Sequence, residues 1–222
     1  MVKVVALFLV LWTALSGTAS AQTLMVSPVS TGEAAVSLDY AVNQVRYQVP
    51  THRFYVSRDI YAASWLYESF FASVGYIGHT GFEHSLSTDN FPPSGEPGYM
   101  LAFGARGAVW RTGDFGINLH VQFHGLNEKV IDSGVRYAFN SQEVLAGVTA
   151  AWQPPGWRAY AGFDVVPYSN VDMDVPGYEL MERSDFIIGH FGGGVDLGPV
   201  LLSADFQVVG TEGLRLSLGY AF

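Results

Sequence analysis

The end of the chain alternates without a break. Leu214, Leu216, Leu218, Tyr220 and Phe222 take every second position, with Arg215, Ser217, Gly219 and Ala221 between them. Successive strand side chains point to opposite faces, so this segment is a strand with one apolar side and one small or polar side. The pattern recurs upstream. Phe115, Ile117, Leu119, Val121 and Phe123 alternate with Gly116, Asn118, His120, Gln122 and His124. Val200, Leu202, Ala204, Phe206 and Val208 alternate with Leu201, Ser203, Asp205, Gln207 and Val209, and Val36, Leu38, Tyr40 and Val42 with Ser37, Asp39, Ala41 and Asn43. A soluble sandwich also alternates, with its apolar faces turned inward. Its outer faces, however, need Lys and Glu, and here the intervening positions hold Gly, Ser, Ala, His and Asp. Charged residues make up 14% of the chain and hydrophobic ones 49%, against ~25% charged in an ordinary soluble domain. The apolar faces therefore have something other than a protein core to meet.

The N-terminus indicates export. Lys3 precedes an apolar stretch, Val4 to Leu15, and Ala19-Ser20-Ala21 reads as a small-residue cleavage site. This is the layout of a signal peptide over residues 1–21, leaving residues 22–222 as the mature domain. The apolar stretch is shorter than the ~20 residues a membrane-spanning helix needs, so any mature span is β. The 222 residues contain no Cys, which removes disulfides, thiolate metal sites and thiol catalysis. A formal charge of -9 argues against nucleic acid as a partner, because phosphate binding relies on clustered Lys and Arg.

With Tyr220 and Phe222 closing an alternating last strand, the chain resembles the bacterial outer-membrane β-barrels, in the broad sense of small porin-like barrels. In that family the terminal aromatic residue is an assembly signal read by the barrel assembly machinery, which makes that machinery and outer-membrane lipid the expected partners. The resemblance implies an all-β fold, an antiparallel transmembrane β-barrel in the outer membrane. It implies no activity.

Strands are expected near 34–43, 53–64, 69–78, 99–110, 115–125, 142–152, 157–168, 185–197, 200–209 and 213–222. The even count of ten suits a single-chain bacterial barrel; eight, with one hairpin demoted, is the alternative. With the C-terminus periplasmic, the short connections at 65–68, 111–114, 153–156 and 198–199 fall on that side, and the long ones at 79–98, 126–141 and 169–184 fall outside. The segment 130–139 also alternates, through Val135, Tyr137 and Phe139. Counting it as a span breaks parity, so it is read as loop or as strand extension beyond the membrane. Trp65, Trp110, Trp152 and Trp157 all border periplasmic turns, as an interfacial aromatic girdle requires.

If the apolar faces meet lipid, the other faces line a lumen. Its candidates are Asp39, Arg106, His120, His124, Arg158, Asp164, His190, Asp196, Asp205 and Arg215, with Asn118, Gln122, Tyr160 and Gln207 among them. Buried charges must be paired, so this list predicts an ion-paired interior. A plug of side chains and a narrow polar channel both follow from it. His120 and His124 share a face but stand ~13 Å apart along a strand, too far for one metal ion. No metal site is expected there, and His79 and His84 around Glu83 have no defined ligand geometry. The adjacent His84 and Ser85 do not make a catalytic pair without a third group, and no motif of the omptin proteases or lipid A deacylases is present. Gly192-Gly193-Gly194 lies between strands, where its role is to bend the sheet or admit bulky lumen groups. No cofactor and no enzymatic activity are expected. The outer connections are acidic, through Glu83, Asp89 and Glu96 and then Asp172, Asp174, Glu179 and Glu182 against Arg183. The second reading is therefore surface binding or adhesion through those connections, and a hydrolase comes third.

Overall fold

The computed structural model describes residues 34–50, 52–84, 94–176, 178 and 181–222. The expected signal peptide lies outside them, as do Ser85, Asp89 and Glu179. The fold is a single antiparallel sheet closed on itself, with strands β1 (Ala34–Val49), β2 (His52–Tyr67), β3 (Phe70–His84), β4 (Ser94–Thr112), β5 (Phe115–Asp132), β6 (Val135–Trp152), β7 (Trp157–Met173), β8 (Glu182–Arg183), β9 (Ile187–Leu197), β10 (Val200–Val209) and β11 (Thr211–Ala221). Ten of these form the wall. The two-residue β8 pairs with the last residues of β1 through Tyr47 and Gln48. Closure comes from β1 pairing along its length with β11, Ala35 opposite Ala221 through Val45 opposite Thr211. The rows of paired residues are staggered. Followed once around the barrel from Phe115 through Trp152, Ala159, Gly193, Ala204, Leu216, Tyr40, Tyr61, Tyr76 and Tyr99, a row returns to β5 at Asn127, further along the same strand. That stagger is the tilt a closed barrel requires.

The start of β1 and the C-terminal residue lie at one rim, where the Phe222 amide donates to the Ala34 carbonyl at 2.9 Å. We call this the terminal rim and the opposite one the distal rim. Connections at the terminal rim are tight, and Gly113, Gly156 and Gly198 take left-handed φ values there, conformations that cost glycine least. At the distal rim the strands run further than the alternation alone placed them. Residues 126–141 are not a loop: β5 and β6 continue through them to a two-residue turn, Ser133–Gly134, with φ of 50° and 80°. Positive φ at both positions matches the right-handed twist of a hairpin. The expected loop at 79–98 shrinks likewise, since β3 runs to His84 and β4 starts at Ser94, and β7 carries the chain out to Met173.

These extensions keep the side-chain alternation but exchange polarity. On β1, Val36, Leu38, Tyr40 and Val42 face out; Gln44, Arg46 and Gln48 continue that outward row. The inward row passes from Asp39 and Asn43 to Val45, Tyr47 and Val49, all buried. On β5, outward Phe123 gives way to Gly125, Asn127 and Lys129, while inward His124 gives way to Leu126 and Val130. On β6, outward Val144 to Trp152 is apolar, whereas Asn140 and Gln142 are not. The wall therefore carries an apolar belt on its outside next to the terminal rim, and a soluble-type polar outside beyond it. Leu38 (66%) and Phe222 (74%) show how openly the belt presents apolar groups. The belt is edged by aromatic side chains. Trp65, Trp110, Trp152 and Trp157 are exposed near the terminal rim, and Tyr61, Tyr76, Tyr99 and Tyr168 are exposed on its distal side.

Candidate functional site: the barrel lumen

The ten candidate lumen residues all stand on the inward rows, and seven of them are buried: Asp39, His124, Arg158, Asp164, His190, Asp205 and Arg215. Arg106 and His120 are half-buried and face one another across β4 and β5. Asp196 is the most open, its side chain 39% exposed at the terminal rim.

The closing seam holds the densest group. Arg215 Nη2 donates to Asp39 Oδ1 at 2.9 Å, and the hydroxyls of Ser37, Ser64 and Ser217 donate to the same carboxylate. Ser64 in turn lies 2.7 Å from Ser73. A buried carboxylate with a cation and several donors is a satisfied group. A small cavity of about 30 Å³ adjoins it, lined by Ser37, Ser64, Arg158, Arg215 and Ser217, large enough to hold water. Along strands β5, β7, β9 and β10, Arg158 Nη2 meets Asp196 Oδ1 at 2.6 Å, His120 Nε2 meets Asp164 Oδ1 at 2.7 Å, and His190 Nδ1 stands 3.7 Å from Asp205 Oδ2. His124 touches Gln122 through their nitrogens.

Glycines make the room for this packing. A Cβ on Gly147 would fall on Asp164 Oδ1 and come within 2.6 Å of His120. One on Gly162 would come within 2.7 Å of His190 Nε2, and one on Gly192 would strike the Tyr160 ring and hydroxyl. In the glycine triplet, then, Gly192 admits a bulky lumen group.

Toward the distal rim the filling continues. Ala41, Ile60, Ala62, Ile77, Met100, Ala102 and Leu126 form an apolar layer, with Leu145, Val166 and Ile188 opposite. Beyond it come two ion pairs that the sequence reading missed. Arg58 Nε donates to Glu128 at 2.7 Å, and Thr80 also donates to Glu128. Arg183 Nη1 donates to Glu143 at 2.6 Å and its Nη2 to Thr211 Oγ1 at 2.7 Å. Arg58 and Glu128 lie distal to the apolar belt. Burial pulls the Arg58 guanidinium's pKa down, but Glu128 and the Tyr47 hydroxyl more than reverse this and hold it above its usual range. The one sequence signal was Arg58 in phase with Phe54, Val56 and Ile60, an arginine on a row of inward apolar positions.

Between β7 and β9, where an acidic outer loop was expected, Val175, Tyr178, Met181 and Arg183 turn inward at the mouth. Val175 and Met181 are buried in a cluster with Val45, Tyr47, Val49, Phe54, Val56, Phe82, Val130, Phe139 and Met173, and Tyr178 packs against it. Arg183, expected on the surface, is buried. Fully burying an aliphatic or aromatic side chain contributes roughly 1.5–3 kcal/mol, so this cluster is a substantial core in its own right. Among the acids expected outside, Asp172, Asp174 and Glu182 are exposed, Glu83 accepts from Gln44 at 3.4 Å, and Glu96 pairs with Arg136 at 2.8 Å. His79 and Glu83 face outward on β3. Among the described residues, no three His, Asp or Glu side chains gather as a metal site would require.

No family model and no curated protein matches the chain. Solved structures do. The transport unit of the autotransporter AIDA-I from Escherichia coli aligns with a TM-score of 0.54 at 13% identity, covering 92% of this chain and 95% of that one. The translocator domain of the autotransporter NalP from Neisseria meningitidis aligns with a TM-score of 0.51 at 10% identity, covering 88% and 90%. At such identities the likeness is one of fold: this chain has the architecture of the outer-membrane β-barrels, closed and antiparallel, with ten wall strands.

Proposed function

We propose that the protein is a sealed, non-enzymatic barrel of the bacterial outer membrane, exported by the signal peptide at 1–21, with the terminal rim periplasmic and the distal rim outside. It acts as a rigid membrane anchor that carries a short soluble-type barrel above the lipid surface. The observation that carries this reading is the filled lumen, where ion-paired layers and an apolar cap succeed one another from rim to rim. A pore would need a continuous polar path, and the apolar layers at Met100 and Phe139 interrupt one. Lipid surrounds the outward belt, the assembly machinery reads Tyr220 and Phe222, and no cofactor or nucleic acid takes part.

The test is solute flux. Protein refolded into lipid vesicles at high occupancy should release entrapped potassium and small sugars no faster than empty vesicles do. Rapid release that scales with the amount of protein would replace the anchor with a pore. The second reading, surface binding, draws on the exposed Asp172, Asp174 and Glu182 at the distal rim, since surface charge steers oppositely charged partners.

A further inference from the structure

The closing seam leaves a buried donor without an acceptor. Arg215 and Arg158 are 2% and 4% exposed, and each meets a carboxylate through Nη2, Arg215 on Asp39 and Arg158 on Asp196. Among the described residues nothing accepts from Arg215 Nε, and Asp205, directly opposite Arg215 on β10, takes no hydrogen bond from it. A guanidinium donates at every N–H and accepts nowhere, so this group calls for one more acceptor. The seam cavity is where that acceptor fits. Both guanidiniums line it, together with Ser37, Ser64, Ser203 and Ser217, and neither Asp39 nor Asp196 does. Asp39 is already filled. A carboxylate offers about four lone-pair sites, and Arg215, Ser37, Ser64 and Ser217 donate to them. Ser203 is the remaining serine of the wall, and it converges with Arg158 on one spot. A Cβ on Gly194 would stand 3.0 Å from Arg158 Nε and 3.1 Å from Ser203 Cβ, so the glycine keeps that spot clear.

We propose that the seam cavity binds one small monovalent anion, a halide such as chloride, between Arg158, Arg215 and Ser203. A water there could accept from Arg215 but would find no open carboxylate for its own two protons. An anion accepts only, and charge-assisted N–H donors hold it most strongly. The volume of about 30 Å³, against about 10–15 Å³ for one water, suits a single-atom ion and not sulfate or phosphate. The bound ion ties β7, β10 and β11 together beside the β1–β11 closure, which makes halide concentration a determinant of barrel stability. The inference goes beyond the sealed-barrel reading and does not rest on it, since the same seam would close a conducting barrel.

The test is halide linkage. The full barrel, refolded in detergent micelles, is unfolded in urea at fixed ionic strength while sodium gluconate is exchanged stepwise for sodium chloride. The unfolding midpoint should rise with the logarithm of chloride concentration above the dissociation constant, as binding to the folded state requires. Ser203→Ala removes one donor and leaves both ion pairs in place. It should move the onset of that rise to about tenfold higher chloride, the effect of losing a hydrogen bond to a charged group. Crystals grown in sodium bromide supply the second readout, an anomalous peak within hydrogen-bond distance of Arg215 Nε. A midpoint indifferent to chloride overturns the proposal, and so does an equal rise in wild type and Ser203→Ala, which would be a general salt effect. Bromide peaks confined to the exposed surface would mark an adventitious ion only and overturn it as well.

Discussion

Asp39→Ala is the sharpest perturbation of the lumen. Asp39 is 4% exposed and its partner Arg215 is 2% exposed. Removing the acid leaves the guanidinium buried beside three serine hydroxyls that had donated to Asp39. Breaking one side of a buried pair costs about 3–5 kcal/mol, most of it the penalty for the charge left behind. Two local features place the value near the lower end. The adjoining cavity lets water reach the Arg215 side of the group, and the hydroxyls can rotate to new acceptors. The expected loss is therefore about 3 kcal/mol. Removing the arginine as well changes the accounting, because the double variant Asp39→Ala/Arg215→Met buries no charge there. It should recover at least half of the loss, since replacing a whole buried pair by apolar groups is often close to neutral. Urea unfolding of the vesicle-inserted barrel, followed by tryptophan fluorescence, measures both. A single variant within 1 kcal/mol of wild type, or a double variant no better than the single, would refute the idea that the lumen is held by paired buried charge.

Three further outcomes follow from the same geometry. Leu119→Arg, on the outward belt, should destabilise the inserted barrel by about 2–4 kcal/mol in urea unfolding, while Asn118→Arg, one residue away and facing inward, should permit insertion. Gly147→Ala should cost about 1–3 kcal/mol by forcing apart Asp164 and His120, whereas Gly107→Ala, with open space around its Cβ, should change stability by less than about 0.5 kcal/mol. Deleting Phe222 should lower outer-membrane abundance on fractionated cells by more than the small loss of stability in refolded protein, from its bond to Ala34, accounts for, and unchanged abundance would show that the residue is not read during assembly.

The alternation of Leu119, Val121 and Phe123, or of Leu214 to Phe222, made the belt legible from sequence because lipid demands an apolar outside over a full strand length. The same argument placed the Asp39, His120 and Arg215 rows on the inside. What it missed lies past the point where the surroundings change from lipid to water. Residues 44–49 keep the strand period, yet the apolar residues move from even to odd positions, so the pattern in the sequence breaks at Asn43 and Gln44. Val135, Tyr137 and Phe139 alternate as clearly as any belt segment. Phe139 is buried inside with Tyr137 packed against the same cluster, while Val135 is exposed at the turn, and only knowledge of where the membrane ends would show that. Arg58, Glu128 and Glu143 were hidden for the same reason, and Arg183 because a segment of Pro, Gly and acids has the composition of a solvated loop. Its inward turn depends on the cup formed by residues from six other strands.

The central claim is a membrane-spanning belt around a sealed interior, and thiol accessibility tests both halves at once. Single cysteines placed in this Cys-free chain at Phe123, Lys129 and Ala102 sample the belt, the polar exterior and the lumen. In vesicles, the thiol at 129 should react with a water-soluble maleimide, the thiol at 123 only with a lipid-soluble one, and the thiol at 102 with neither until the protein is unfolded. Rapid reaction of 123 with the water-soluble reagent would contradict the membrane belt, and rapid reaction of 102 would contradict the seal.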